Sequence, residues 1–107
     1  MKKSSKTTTA QLFNRYEWLV EVLNRNGSLT FRDINQKWQN SNLNDIRAEF
    51  PKRTFHDHRD AIRDMFGIDI ECNKRDGFKY YIENPEALKN SGTRNRMLEI
   101  IIEKNNI

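Results

Sequence analysis

Residues Phe50 to Phe66 read FPKRTFHDHRDAIRDMF, and Gly67 stands directly behind them. Proline lacks an N–H that a first helical turn would leave without a partner, so Pro51 suits that turn, and Gly67 suits the left-handed residue just past a helix end. The punctuation predicts a helix over 51–66, about four turns long. Phe55, Ile62, Met65 and Phe66 recur at intervals of three, four and seven and share one face, while Lys52, Arg53, His56, Asp57, Asp60 and Arg63 lie elsewhere. The outward face is therefore polar, with a basic first turn rich in hydrogen-bonding groups. Beyond Gly67, Ile68-Asp69-Ile70-Glu71-Cys72 and Phe78-Lys79-Tyr80-Tyr81-Ile82 alternate apolar with polar residues around Asn73-Lys74-Arg75-Asp76-Gly77. An Asp-Gly turn between two such segments predicts a β-hairpin.

Upstream, Leu12, Phe13, Tyr16, Leu19, Val20 and Leu23 recur with helical period between Ala10 and Arg25, and Asn26-Gly27 supplies the stop. Trp18 and Val22 form a second, narrower stripe on that helix, either half exposed, the simpler reading, or covering the terminal segment. Ser28-Leu29 allows a minimal strand, and Thr30 with Asp33 three residues on resembles a capping arrangement that opens a helix buried through Phe31, Ile34 and Trp38. The run Gln39 to Asp45 is rich in side chains that bond their own backbone, so the helix should break there. Leu43, Ile46 and Phe50 are the apolar anchors expected for this connection, which is longer than a tight turn and has room for one helical turn.

Residues 1–9, MKKSSKTTT, are polar, basic and unpatterned, and predict a flexible tail whose Lys2, Lys3 and Lys6 either touch phosphate or sit in solvent. After the hairpin, Asn84-Pro85-Glu86-Ala87-Leu88 resembles a cap, a first-turn proline and a short helix, which Asn90-Ser91-Gly92 ends. From Thr93 to Lys104, Met97, Leu98, Ile100, Ile101 and Ile102 are apolar around more than half of a helical circumference. That is too broad for a stripe on one small core, so a second copy of the chain or a following domain is expected to cover part of it. The expected organisation is a tail over 1–9, one domain over 10–88 and a helical segment over 89–107.

A chain of 107 residues is one domain of ordinary size. Nineteen Lys and Arg against fifteen Asp and Glu give a net charge of +4, a modest preference for polyanions. One cysteine, Cys72, cannot form an internal disulfide, and no signal-type or membrane-length apolar run is present. A cytoplasmic protein that does not cross a membrane is the expectation.

A helix that feeds directly into a hairpin with a basic tip is the layout of a winged helix-turn-helix, here α+β and mainly α, with three helices, a hairpin wing and an additional C-terminal helix. Duplex recognition needs side chains near the start of a groove-fitting helix that reach base edges, ringed by donors to phosphate. Lys52, Arg53, Thr54, His56 and Asp57 supply that set, and Lys74, Arg75 and Lys79 add cations on the hairpin. Arg53 suits bidentate contact with guanine, Thr54 a cap or a phosphate, and His56 either class of acceptor. The competing reading is a solvated face on which Arg pairs with Asp57, Asp60 and Asp64.

Arg53-Thr54-Phe55-His56, the Phe66-Gly67-Ile68-Asp69-Ile70 junction, Gly77-Phe78-Lys79-Tyr80-Tyr81-Ile82 and Asn84-Pro85 together resemble the N-terminal winged helix-turn-helix of bacterial transcriptional regulators that carry a C-terminal WYL domain. The resemblance spans about 16–88 and is shared with DeoR-like winged helices. It implies sequence-specific binding of double-stranded DNA, by homodimers or paired modules, with effector sensing in a WYL domain for which this sequence has no counterpart. The chain departs from the family's usual run at Asp57-His58-Arg59, where basic, acidic and aliphatic residues are common. An acid at Asp57 repels phosphate unless it accepts from a cytosine amino group or from Arg53.

Other chemistries find little support. His56-Asp57-His58-Arg59-Asp60 resembles part of the HxHxDH of metallohydrolases, but the closing histidine is missing, and helical residues two apart point about 200° from each other, whereas helical zinc pairs sit four apart. Cys72 alternates with Ile68 and Ile70, which predicts a buried, inert thiol. No Gly-rich phosphate loop, nucleophile elbow or paired-acid pocket is legible. The expectation is a DNA-binding regulator, not an enzyme, with no metal or cofactor. The alternative is a winged helix used as a protein-interaction module.

Overall fold

A computed structural model describes residues 8–44 and 47–89. Helix α1 (Thr9–Asn26) opens on a capping box, in which Thr8 accepts from the Gln11 N–H and the Gln11 side chain accepts from the Thr8 N–H. The helix thus starts one residue inside the stretch expected to be tail, because the threonine run supplies its own cap. Strand β1 (Ser28–Thr30) leads into α2 (Phe31–Gln39), whose Thr30 hydroxyl accepts from the Asp33 N–H at 3.1 Å, as the Thr-Asp spacing predicts. Helix α3 (Lys52–Phe66) ends at Gly67, which has a φ of 69° and donates its N–H to Arg63. Pro51 is the N-cap of α3 and not its first residue, with an extended ψ of 137°. Strands β2 (Ile70–Asn73) and β3 (Lys79–Ile82) follow, joined through a 3₁₀ turn at Lys74–Asp76, and α4 (Glu86–Lys89) comes last among the described residues.

The result is an α+β unit, mainly helical, with a three-stranded antiparallel sheet in the order β1-β3-β2. Strand β3 is central, pairing Leu29 with Tyr80 on one side and Cys72 with Tyr80 on the other. The inner faces of α1, α2 and α3 contribute Leu19, Leu23, Ile34, Phe55 and Ile62 to the core, and Ile68, just past α3, joins them, all but inaccessible to water. Phe55 is the hub. Its ring lies 4.8 Å from Tyr80, 5.4 Å from Phe31 and 6.2 Å from Phe50, so one side chain joins α3 to β3, to α2 and to the loop before α3.

The apolar seam of α3 runs through Phe55, His58, Ile62 and Phe66, whereas Met65 is 39% exposed. A helix face turns about 100° per residue, and the seam centred on Ile62 takes in position 58 before it reaches 65. The connection between α2 and α3 also differs from expectation. Phe50 is buried, but Leu43 is 47% exposed, and the interior anchor is Asn44. Its amide donates to the Trp38 and Ala48 carbonyls at 3.2 and 2.7 Å and its Oδ1 accepts from the Ala48 N–H, while the Asn35 Oδ1 accepts from the Phe50 N–H. Ile46 and the possible helical turn around it fall outside the described residues, as do the basic tail over 1–7 and the apolar segment over 93–104.

Two further turns differ from the sequence reading. Asn84 does not cap a helix with its side chain; its Oδ1 accepts from the Asp69 N–H and its amide donates to the Gly67 carbonyl, tying the end of the hairpin to the end of α3. The hairpin connection runs over 74–78 rather than 73–77, because Asn73 pairs with Lys79 and Phe78 joins Gly77 in the left-handed conformation, at φ of 59° and 69°. Glycine takes that conformation freely, while phenylalanine pays about 1–2 kcal/mol for it. Pairing begins at Ile70 and resumes at Lys79, so Ile68, Asp69 and Phe78 lie outside the strands.

Candidate nucleic-acid interface

Helix α3 presents its first turn to solvent with an unusual lack of partners. Helices α1 and α2 are capped by Thr8 and Thr30, but Pro51 offers α3 no side-chain cap, and no acid occupies the first turn. The N–H groups and the positive end of the helix dipole are thus left for an external anion. Lys52 and Arg53 flank this end, both exposed. The Lys52 ammonium sits 5.8 Å from the centre of the Phe31 ring. Arg53 makes no ion pair among the described residues, and Asp57, one turn further on, does not approach it within salt-bridge distance. The pairing expected of a solvated face occurs lower on the helix, where Arg63 meets Asp60 and Asp64 at 3.5 and 3.2 Å.

The structure also brings this helix end to the tip of the hairpin. Phe31, beneath Lys52, follows Thr30, and Thr30 pairs with Lys79, which in turn pairs with Asn73 at the mouth of the 3₁₀ turn. Phe55 then packs on Tyr80, and Gly67 reaches Asn84 at the opposite end of the sheet. Side chains from the first half of α3 thus meet Tyr80 in the middle of β3, and the residue that ends α3 meets Asn84 beyond the end of that strand. Lys74 and Arg75 stand exposed in that tip, while Lys79 is half-buried and 3.8 Å from the Asp76 carboxylate. Of the eight residues singled out from sequence, Lys52 and Arg53 are exposed at the start of α3, Lys74 and Arg75 are exposed at the hairpin tip, and Lys79, where β3 leaves that tip, has its charge partly answered.

The remaining three behave differently. Thr54 is half-buried within the first turn of α3 and does not cap it, because the N-cap position is taken by Pro51. His56 packs edge-on against Phe55 and Tyr80, and its Nδ1 meets the Arg59 guanidinium at 3.2 Å. Arginine can only donate, so in the tautomer that satisfies this contact Nδ1 accepts and the Nε2 N–H is left for a ligand. Arg59 was not singled out from sequence, yet it fixes this corner: Nε and Nη2 both donate to the Ile70 carbonyl, at 3.0 and 2.7 Å, with the guanidinium 5.1 Å from the Tyr80 ring centre. No spacing rule pointed to it, because its partner is a backbone carbonyl in another element. Asp57 is exposed, and its charge is felt by α1: burial first and Asp57 second push the Tyr16 hydroxyl above its ordinary pKa.

Comparison with protein-family models, curated proteins and solved structures finds no match to this chain. Its chemistry therefore rests on its own residues. Among those described, no group of three or more His, Cys, Asp or Glu could hold a metal ion, and no helix is long and apolar enough to cross a membrane. Cys72 is half-buried rather than fully buried.

His58, next to this surface, belongs to the core. It lies edge-on to Tyr16 at 4.9 Å and to Phe50 at 5.5 Å, and its Nε2 is buried with no hydrogen-bond partner among the described residues. Burial, reinforced by Arg15 and opposed by Asp57, lowers its pKa from 6.5 to about 4. The unfolded chain therefore takes up a proton that the folded chain refuses as the pH falls through the interval between those values, so stability is lost as pH drops from about 6.5 to about 4 and this loss is complete below that. At about 1.4 kcal/mol per tenfold change in proton affinity, and discounted for screening by nearby solvent, the loss is about 2 kcal/mol. Urea unfolding near pH 7 and near pH 4.5 should show most of this difference. His58→Leu should lack it, and an equal acid loss in that variant would assign the effect to carboxylates.

Proposed function

We propose that this chain is a winged helix-turn-helix module that binds double-stranded DNA in a sequence-specific manner, as part of a bacterial, cytoplasmic transcriptional regulator of the WYL or DeoR-like kind. The observation that supports the reading is the uncapped start of α3, whose Lys52 lies over Phe31 beside the end of the sheet from which the basic hairpin tip, with Lys74 and Arg75, extends. A helix of fifteen residues with an exposed polar face fits the major groove, and the hairpin beside it would follow the neighbouring backbone as a wing. In this reading Arg53 and the Nε2 of His56 meet base edges, Asp57 accepts from a cytosine amino group, and Lys52, Thr54, Lys74, Arg75 and Lys79 hold the backbone. The module acts as a homodimer or beside a WYL effector domain, and it performs no catalysis.

Arg53→Ala tests the assignment. On a preferred duplex the variant should lose about 1–3 kcal/mol of binding and tolerate any base at one position, as removal of a good bidentate contact does. Losses of equal size on every sequence would instead place Arg53 on phosphate.

A second reading, a protein-interaction module, draws on a different face. Trp18 and Val22 on α1 line an open groove with Leu43, which is 47% exposed. Binding through that groove would be nearly indifferent to salt, unlike binding through the cationic end.

A further inference from the structure

The most exposed large apolar side chain among the described residues is Phe78, with 61% of its surface in solvent. Strand alternation would place it with Tyr80 and Ile82, both buried, on the core side of β3. Left-handed backbone at Gly77 and again at Phe78 breaks that alternation and leaves the ring outside. A bulky residue with positive φ is a rare conformation, and here it keeps an aromatic ring in water that an unstrained strand start would have turned inward. The ring stands among charges of one predominant sign. Residues 74–79 carry three cations, Lys74, Arg75 and Lys79, against one acid, Asp76. An apolar patch for a neutral protein partner has no need of neighbouring cations, whereas a polyanion with apolar faces between its charges answers both features.

We infer that Phe78 is a wedge at the wing tip, entering a base step of duplex DNA from the minor groove while Lys74 and Arg75 hold the phosphates on either side. The inference rests on the DNA-binding reading and adds to it a distortion and a preference. Partial unstacking by an apolar wedge kinks the duplex towards the major groove, and pyrimidine–purine steps such as TA or CA kink most easily. The wing would thus select a flexible step without a hydrogen bond to any base.

The test compares the full chain with Phe78→Ala and Phe78→Gly on duplexes recovered by selection. Each duplex carries a fluorophore pair at its ends to read bending and 2-aminopurine at the step facing the wing to read unstacking. The wild-type protein should shorten the end-to-end distance and brighten 2-aminopurine at one step. Both variants should bind about tenfold more weakly, with the salt dependence unchanged, and leave the duplex straight and stacked. Phe78→Gly also removes the backbone strain, so it should unfold at the same denaturant concentration as the wild type or a higher one, which separates a binding defect from a folding defect. A straight duplex under the wild-type protein, or equal bending by the variants, would overturn the wedge while salt-sensitive duplex binding left the DNA reading in place. No duplex binding by the wild-type protein would overturn both.

Discussion

Replacing Phe55 by Ala is expected to lower the free energy of unfolding by about 3–5 kcal/mol, the usual range for removing a fully buried aromatic ring. Phe55 has no exposed surface, and its ring is shared by Tyr80, Phe31 and Phe50, so its loss leaves a cavity bounded by three separate elements. Those elements cannot all close on the same void, because β3 is held on both sides by strand pairing and Phe50 is held by the Asn35 side chain. A domain of this size is commonly stable by about 5–15 kcal/mol, so the variant should be marginal at room temperature. Urea unfolding followed by circular dichroism gives the number. A loss below about 1 kcal/mol would mean that Phe55 does not join the helix to the sheet as described.

The second large effect is on binding. Under the DNA-binding proposal the three exposed cations Lys52, Lys74 and Arg75 would each neutralise a phosphate, and each neutralised phosphate lowers affinity by about 0.9 log units per log unit of salt. Three contacts predict a roughly 40-fold loss between about 50 and about 200 mM salt for one module, and the square of that for two modules on one duplex. Replacing all three cations by Gln should flatten the slope without unfolding the protein, since none of the three supports the core. A shallow slope in the wild-type protein would move the binding surface to the Trp18–Leu43 groove. Lys79 is left out of the sum because Asp76 already answers part of its charge.

The elements that punctuate the chain were legible in its residues. Thr30 caps α2 through Asp33, Gly67 ends α3 in the left-handed conformation, and Gly27 closes α1, since each of these depends on a residue type and its immediate neighbours. What depends on distant partners was not legible. Asn44 belongs to a run of loop-forming residues that read alike, and only the meeting of Trp38, Asn44 and Ala48 shows which one turns inward. Arg59 is similar, because a guanidinium that grips the Ile70 carbonyl looks in sequence like any surface cation. Met65 was placed inside and is outside, since the seam drifts around the helix and His58 fills the place that a purely apolar pattern gives to a neighbour. The eight candidate residues are chosen by type and position, whereas which of them share a surface depends on how α3 and the hairpin are held against β1 and β3, which no local pattern encodes. Asp76-Gly77 marks the turn, but Phe78, which alternation assigns to the return strand, belongs to the connection in left-handed conformation and is exposed there.

The most direct test of the DNA-binding proposal is selection of duplexes from a random pool by the full chain, followed by titration of the recovered sequence against salt and against Arg53→Ala. The expected result is one recurring motif, bound with a steep salt slope, that loses preference at a single base pair in the variant; the spacing of its half-sites would give the symmetry of the assembly. Recovery of no motif, with weak binding that is gone near physiological salt, would contradict sequence-specific recognition by this module.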